Sequence, residues 1–277
     1  MVTTRTILLT GASGKIGRVL TLALLNEGHS VIGTTHRKES AERLMDDFAA
    51  FAKAGTFHAF DVDFSQQEVG PNIVDTLAAY GAFPDVVIHN ARSQGALAIG
   101  PDNVTRRDAF IEELTLDVMA PYEMTMALVA VPQTRLNNII LISSIYGVVA
   151  ANSHLYDDPA SQSPIQYSVA KAAQIHLARE LAIRLSGQGV RVNAVSFGGV
   201  EGRVSEAFKA RYANLCPQGR MLDESEVIAP ISYLLSEGAS GMTGQNLIVD
   251  GGWLSKHPIF ITWDYENQNF RVLGEVV

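Results

Sequence analysis

The chain has little cysteine: Cys216 is the only one among 277 residues. An internal disulfide bond is therefore excluded, and no Cys/His cluster suggests a zinc site, so no metal is expected. No apolar run approaches the ~20 residues that a membrane-spanning helix needs. The opening MVTTRTILLT is too short an apolar stretch for a secretory signal and is typical of a first strand. We therefore expect a cytoplasmic protein without a membrane partner.

Basic residues are also in deficit. The chain has 21 Lys and Arg against 29 Asp and Glu, a net charge of −8. No Lys/Arg cluster stands out, so nucleic acid is not an expected partner. Linker-type segments and internal repeats are lacking too. The sequence thus predicts a single domain over residues 1–277, with a core at about 5–253 and an extension at about 254–277 that packs on the surface or on a partner.

Short β-branched runs alternate with amphipathic stretches as far as about residue 250. Strands are predicted at 6–10, 30–35, 56–61, 85–90, 138–143, 190–196 and 246–250. Helices are predicted near 16–27, 39–54, 66–80, 104–131, 165–186 and 223–236. This alternation predicts an α/β fold, a doubly wound, seven-stranded parallel (Rossmann) sheet with helices on both faces.

A glycine-rich turn, TGASGKIG, follows the first predicted strand and opens a helix. Its first glycine allows a tight turn, its second lets a pyrophosphate approach the backbone, and its third lets the helix pack close to the sheet. The N–H groups at the helix start would face the anion. The turn therefore predicts a dinucleotide site with contacts from Gly11, Ser13, Gly14, Lys15, Ile16 and Gly17.

The end of the second strand bears on the choice between NAD and NADP. Thr35 stands where an acidic residue would bind a ribose 2′-hydroxyl, and His36, Arg37 and Lys38 follow it. Absence of acid with base nearby favours a 2′-phosphate, so NADP(H) is preferred and NAD(H) stays possible. Arg37 is the main expected contact, with His36 beside it and Lys15 as a helper. Solvated loop charges are the alternative interpretation.

The third strand ends in FDVDF, which offers groups for the adenine end of the cofactor. Asp61 could accept a hydrogen bond from the adenine amino group, and Val62 would lie beside the ring. A carboxylate at a strand end can also simply cap the next helix.

The segment IQYSVAK places Tyr167 and Lys171 four positions apart in a predicted helix, so they share one face. A positive charge one turn away favours the ionised form of the phenol. Together they would supply a proton donor and acceptor near neutral pH. A surface tyrosine beside a solvated lysine has the same spacing, so the pair alone does not establish a catalytic site.

The glycine turn, DVD, HNA, ISS, YSVAK and VDGG occur in this order between residue 5 and about 253. In this order they resemble the short-chain dehydrogenase/reductase family. The resemblance implies that Tyr167 is the general acid/base of hydride transfer and that Lys171 tunes it and holds the nicotinamide ribose. Ser144 would orient the substrate oxygen. Further cofactor contacts are implied for Asn90, Ala91 and the backbone of Val200.

A fourth catalytic position, usually asparagine in this family, is Asp117 in LTLDVMAPYEM. The family residue lies in a distorted helix, and its backbone carbonyl holds a water linked to the lysine. Pro121 lacks the N–H that would bond the carbonyl of Asp117 in a regular helix. We therefore expect the backbone role to survive and leave the side-chain role open. An ordinary proline kink is the alternative.

The sequence departs from the family pattern at two places. The glycine spacing resembles the extended epimerase and dehydratase branch of the family, and Arg92 replaces an expected glycine. An NAD-dependent epimerase or dehydratase is thus an alternative, although that branch normally adds a separate substrate domain. A dinucleotide sensor or scaffold is disfavoured, because the catalytic serine, tyrosine and lysine are retained. The leading hypothesis is an NADP(H)-dependent oxidoreductase that interconverts a carbonyl and an alcohol on a small molecule.

The segment between Ser144 and Tyr167, IYGVVAANSHLYDDPASQSPIQ, is longer than the family usually has. It is rich in donors and acceptors, and we expect it to cover the pocket mouth. Such a cover would leave polar groups unpaired against a steroid or fatty acyl chain and favours a sugar or nucleotide-sugar. An ordinary polar surface loop is the alternative.

The predicted helices at 104–131 and 165–186 bear on assembly, because family members commonly pair through them and through the final helix and strand. TLDVMAPYEMTMALVAV is apolar on more than one face, which is consistent with burial against a second copy as well as the sheet. The resemblance thus implies a homo-oligomer, a tetramer or a dimer.

Overall fold

The computed structural model describes residues 4–93, 95–202, 204–255, 260–264 and 269–273, the last two as backbone only. Seven parallel strands form one sheet in the order β3-β2-β1-β4-β5-β6-β7. They are β1 (Thr6–Leu9), β2 (Ser30–Thr35), β3 (Phe57–Asp61), β4 (Val86–His89), β5 (Asn138–Ser144), β6 (Arg191–Phe197) and β7 (Asn246–Val249). The predicted doubly wound sheet is confirmed.

Ten α-helices are described. They are α1 (Lys15–Asn26), α2 (Lys38–Asp47), α3 (Ala49–Lys53), α4 (Val69–Tyr80), α5 (Arg107–Leu114), α6 (Ala120–Ala130), α7 (Pro159–Gln162), α8 (Ile165–Arg184), α9 (Glu206–Leu215) and α10 (Ile228–Leu235). The stretch predicted at 39–54 is two helices, and α9 lies where no helix was predicted. No helix in the described part of the chain is long and apolar enough to cross a membrane.

The sheet is buried on both faces, because successive residues of a strand point to opposite sides. In β1, Ile7 and Leu9 join a core cluster that includes Leu20 of α1 and Ile231 of α10. Leu8 joins the cluster on the other face, which contains residues of α4, α6 and α8. All three β1 side chains are 0% exposed.

The strand order reverses between β1 and β4, which lie side by side at the centre of the sheet. In doubly wound sheets the ligand crevice opens at such a switch point, beyond the carboxyl ends of the strands. The segments that leave these ends begin at Thr10, Asn90, Ile145 and Gly198. The sheet therefore brings the glycine turn, HNA, ISS and the segment before Val200 to one edge.

The predicted distortion near Asp117 is present. Residues Thr115–Met119 form a π-helix between α5 and α6, and the N–H of Ala120 donates to the carbonyl of Thr115. Pro121 follows at the start of α6 and offers no N–H to the preceding turn. One extra residue in a helical turn re-aims the side chains on it, and such π-turns are frequent at functional sites.

The C-terminal extension contains two further strands, β8 (Phe260–Asp264) and β9 (Asn269–Leu273), which pair antiparallel. They form a sheet of their own and add no strand to the central one. Residues 256–259, 265–268 and 274–277 lie outside the described residues. The packing of the extension on the surface or on a partner stays a prediction, as does the single-domain organisation.

Candidate active site

The glycine turn is fixed against the end of β4. Gly11 has φ +67°, and a Cβ there would lie 2.7 Å from the Cα of Ala91. Asn90 Nδ2 donates to the carbonyls of Thr10 at 3.0 Å and Gly11 at 3.2 Å. The hydroxyl of Thr10 accepts from the N–H groups of Asn90 and Ala91, each at 2.9 Å. Asn90 and Ala91 therefore position this turn.

The start of α1 is open to an anion. Within the described residues, α1 has no side-chain cap and no acidic residue in its first turn, and Ser13 and Gly14 are exposed. Gly17 is buried, and a Cβ on it would overlap the carbonyl of Gly11. Uncapped N–H groups and the helix dipole attract a phosphate. The turn fits a dinucleotide pyrophosphate, with Lys15 and Ile16 at the first two positions of α1.

The ends of β2 and β3 lie together, because the N–H of Val62 donates to the carbonyl of Thr35 at 2.7 Å. Asp61 is exposed beside them. His36 and Arg37 are exposed as well, and His36 Nδ1 is 3.9 Å from a carboxylate oxygen of Asp63. The groups predicted to bind the adenosine end of a cofactor are thus neighbours at the solvent-facing rim.

Lys15 was predicted to assist Arg37, but it lies against a different segment of the chain. Its ammonium donates to the carbonyl of Glu201 and is 3.7 Å from a carboxylate oxygen of Glu224. The segment around Glu201 is itself held by Val200, which bridges to Leu222. Lys15 therefore joins α1 to the segment after β6, where the backbone contact of Val200 was predicted.

Ser144 ends β5 and is 8% exposed. Its hydroxyl oxygen accepts from the N–H of Tyr146 at 3.2 Å, while the hydroxyl of Ser143 donates to the carbonyl of Lys171 at 3.1 Å. A Cβ on Gly147 would lie 2.7 Å from the carbonyl carbon of Lys171. The chain after β5 can therefore pack directly on the turn of α8 that carries the predicted lysine.

Tyr167 is half-buried in the first turn of α8. The guanidinium carbon of Arg92 lies 4.8 Å from the centroid of its ring, and Lys171 Nζ lies 5.8 Å from it. Both distances are within reach of a cation–π contact. Arg92 itself is exposed. The tyrosine that the sequence singled out is therefore flanked by two cations.

Lys171 is buried on α8, with its ammonium enclosed by hydrogen-bond acceptors. Its ammonium donates to Asp117 Oδ1 at 2.9 Å, to the carbonyl of Ile142 at 3.0 Å and to Gln174 Oε1 at 3.2 Å. The Lys171 and Asp117 side chains are 6% and 1% exposed. An ammonium has three protons to donate, and all three are used. The side-chain role of Asp117 that the sequence left open is a buried ion pair with Lys171.

Sequence reasoning missed Glu113, which is 1% exposed in α5. Burial, and after it the negative charge of Asp117, raises the pKa of Glu113 to about 7, against opposing effects of Arg92 and Lys171. The available signal was the spacing: Glu113 is four residues before Asp117. Two carboxylates one turn apart lie on one helical face.

The long segment before α8 is anchored to α9. Arg211 of α9 donates to the carbonyl of Leu155 and to a carboxylate oxygen of Asp157, each at 2.8 Å. Leu155 is 0% exposed, and the hydroxyls of Tyr146 and Tyr156 are 3.0 Å apart. The buried side of the segment is therefore apolar and phenolic. His154, Asp157 and Asp158 of the donor-rich set are on its exposed side.

A groove of about 400 Å³ lies between this segment, the first turn of α8 and residues 99–105. Gln166, 0% exposed, fixes one wall: it accepts from the Thr105 hydroxyl at 2.9 Å and donates to the carbonyl of Ala96 at 2.8 Å. Sequence reasoning missed this residue too. The groove is lined by apolar residues and by hydroxyl and amide groups from Asn103, Thr105, Ser153, Ser163 and Ser168.

A parallel doubly wound sheet with an anion-binding turn at its switch point, and a tyrosine and a buried lysine beside it, defines a Rossmann-type oxidoreductase. A family model described as enoyl-(acyl carrier protein) reductase matches residues 11–254. The chain belongs to the short-chain dehydrogenase/reductase family, and its class of activity is that of an oxidoreductase.

The sequences of known relatives align with nearly the full length of this chain. The uncharacterized oxidoreductase YmfI of Bacillus subtilis is 30% identical over 259 residues, which are 90% of this chain and 98% of YmfI. The 3-oxoacyl-[acyl-carrier-protein] reductase FabG of Salmonella typhimurium is 26% identical over 88% of this chain and 95% of its own. A short chain dehydrogenase from Leptospira borgpetersenii, solved with bound NAD+, superposes with a TM-score of 0.77 at 26% identity, covering 91% of this chain and 93% of its own.

Proposed function

We propose that the protein is an NADP(H)-dependent oxidoreductase that interconverts a carbonyl and an alcohol by Ser-Tyr-Lys chemistry. The observation that carries this proposal is Tyr167, half-buried with the Lys171 ammonium 5.8 Å from its ring and the Arg92 guanidinium 4.8 Å from it. A nicotinamide cofactor bound at the glycine turn would supply or accept the hydride. The protein's own residues then have to move one proton and hold the substrate oxygen.

Each residue has a separate part in this proposal. The hydroxyl of Ser144 accepts from the N–H of Tyr146, so its own proton is available to hold a substrate oxygen. The hydroxyl of Tyr167 donates a proton to that oxygen in reduction and removes it in oxidation. Asp117 fixes Lys171, whose ammonium lies 5.8 Å from the centroid of the Tyr167 ring.

The cofactor preference rests on the acid-free end of β2 with Arg37 exposed beside it. The Leptospira borgpetersenii dehydrogenase was solved with NAD+, so the preference for NADP(H) is argued from this chain's own residues. We expect NADPH to bind more tightly than NADH, and Arg37→Ala to weaken NADPH binding about tenfold or more, because it removes a charge-assisted contact worth roughly 1.5–3 kcal/mol. Fluorescence titration with both cofactors measures this. Lys53→Ala in α3 is the control, and an unchanged preference in Arg37→Ala contradicts the proposal.

For the substrate we propose a polyhydroxylated compound, a sugar or a nucleotide-sugar. Hydroxyl and amide side chains line the groove at the first turn of α8, and they can satisfy substrate hydroxyls that an apolar wall would leave unpaired. The same groove also contains Ile99 and Ile165. Acyl ketones are therefore the competing class, as the activity in the name of the FabG relative illustrates.

An absorbance assay of NADPH oxidation over sugars, nucleotide-sugars, steroids and 3-oxoacyl thioesters tests the proposed function. We expect turnover on the sugar class, and a loss of about fivefold in kcat/KM for Ser168→Ala, because one hydrogen bond to the substrate is worth about 1 kcal/mol. Ser161→Ala is the matched control, since Ser161 is an exposed residue of α7 outside the groove. Turnover of steroids or acyl ketones alone would exclude the sugar class, and no turnover at all would exclude the reductase.

We further propose that the protein is a homo-oligomer paired through α5, α6 and α8. Large apolar side chains are exposed on these helices and on the π-helix between α5 and α6: Ile111 at 52%, Met119 at 51%, Tyr122 at 40%, Ile165 at 61% and Val169 at 42%. Exposed apolar groups clustered on neighbouring helices favour association. Light scattering is expected to give the mass of a dimer or tetramer, and Met119→Asp to lower it. Leu22→Asp, at an exposed position of α1, is the control, and a monomeric wild-type mass refutes the pairing.

A further inference from the structure

A buried carboxylate of α5 has no part in the mechanism described so far. Glu113 and Asp117 are both 1% exposed. Within the described residues, Glu113 Oε1 and Asp117 Oδ2 are buried and have no hydrogen-bond partner. A buried polar atom without a partner costs about 1–3 kcal/mol. One proton held between the two carboxyl groups would turn one of them into a donor and satisfy an oxygen of each.

The charges around Glu113 favour such a shared proton. The groups that act on it are Asp117 in the π-helix, Lys171 on α8, Arg92 after β4 and Glu112 on its own helix. Lys171 is the one enclosed cation of this set, and its protons go to Asp117, Ile142 and Gln174. Arg92 is exposed and screened by solvent. Two buried carboxylates therefore face one buried ammonium, and a second full negative charge is disfavoured.

We propose that Glu113 is the proton-holding carboxyl of this site, which shares a proton with Asp117 and resupplies Tyr167 through Asp117 and Lys171. This inference rests on the proposed function and adds a positioning residue to it. Reduction of a carbonyl consumes one hydride, with its two electrons, from the reduced nicotinamide and one proton from the Tyr167 hydroxyl. The phenolate regains a proton from Lys171, which exchanges one of its three present hydrogen bonds for the Tyr167 oxygen. Lys171 then regains a proton from the carboxyl pair. Glu113 then takes a proton from solvent, and oxidation reverses every transfer.

The proposal has a definite pH dependence. The pKa of Glu113 is raised to about 7, first by burial and then by Asp117. Below that pH the carboxyl pair holds a proton for reduction, and above it the pair is empty. Reduction should therefore slow as the pH rises through about 7, and oxidation, which needs an acceptor, should gain over the same interval.

The first arm of the test detects the proton directly in the cofactor-free protein. Infrared difference spectra on either side of neutral pH report protonated carboxyl groups. The wild type is expected to lose one such band with a midpoint of about 7. Glu113→Gln should lack this change, because the amide keeps the shape and does not titrate. Glu112→Gln, the same substitution one residue earlier, should keep it. Retention of the band change in Glu113→Gln overturns the proposal.

The second arm follows the pH profile of kcat with the best carbonyl substrate from the NADPH assay. In Glu113→Gln, kcat for reduction should no longer change with pH near neutrality, and it should be lower than the wild-type kcat at acidic pH. Glu113→Asp should restore the pH dependence. An identical profile in Glu113→Gln and wild type overturns the relay even where the infrared change is present. Absence of turnover together with an infrared change confined to Glu113 contradicts the proposed function instead. The two failures are therefore distinguishable.

Discussion

Replacing Tyr167 by phenylalanine is expected to lower kcat by at least about a hundredfold, since general acid–base catalysis contributes 10²–10⁴. The substitution removes only a hydroxyl. The ring that lies under the Arg92 guanidinium at 4.8 Å is retained, so the packing of the first turn of α8 should survive. The dissociation constant of NADPH should change by less than about threefold, because the lost group acts on the substrate's proton. Initial rates and fluorescence titration measure the two quantities.

Tyr80→Phe is the matched control for this substitution. Tyr80 ends α4 and is 45% exposed, so loss of its hydroxyl should leave both kcat and cofactor binding unchanged. If Tyr167→Phe retains more than about a tenth of the wild-type rate, its hydroxyl is worth less than the general-acid range allows, and another group is the acid. Tyr156, whose hydroxyl pairs with that of Tyr146, would then be the next residue to replace.

The sheet and the glycine turn were predictable because their signals are local. Each strand is a short β-branched run between helical stretches, and burial on both faces requires apolar residues at nearly every strand position. Gly11 and Gly17 are dictated by backbone atoms of the turn itself and of Ala91. The spacing of Tyr167 and Lys171 likewise sits within one helical turn. Local constraints of this kind can be read from a short window.

The partners of Lys171 were not predictable in the same way. Asp117 is 54 residues from it in sequence, and only the packing of α8 against the π-helix brings them together. Glu113 lies in IEELTLD, where its charge is typical of a solvated helix face. Its burial depends on where the neighbouring helices lie. Charges that are buried by tertiary packing look the same in sequence as charges in solvent.

The long segment before α8 shows a second limit. Its many donors and acceptors predicted a polar cover for the pocket, yet Leu155 is fully buried and Tyr156 bonds Tyr146. Asp157 instead binds Arg211 of α9, a helix that the sequence did not predict. Composition gives the polarity of a loop, but its inward side is selected by the element on which it docks.

Replacing Asp117 by alanine is expected to lower the free energy of unfolding by about 3–5 kcal/mol, the range found when one partner of a buried ion pair is removed. Lys171 would keep the carbonyl of Ile142 and the side chain of Gln174 as acceptors. Its side chain is only 6% exposed, and its charge would no longer be bonded to an anion. Urea unfolding at neutral pH measures the change. Glu113 could ionise in place of Asp117 and limit the loss, so the substitution is made in a Glu113→Gln background as well, where the loss should be larger.

Asp157→Ala is the matched control, because it removes a carboxylate from an ion pair of similar length on the surface. Arg211 and Asp157 are 2.8 Å apart, with Asp157 72% exposed, and such exposed pairs contribute only about 0–1 kcal/mol. If Asp117→Ala in the Glu113→Gln background loses no more stability than Asp157→Ala, Lys171 is satisfied without either acid. The buried pair would then not be what fixes the lysine.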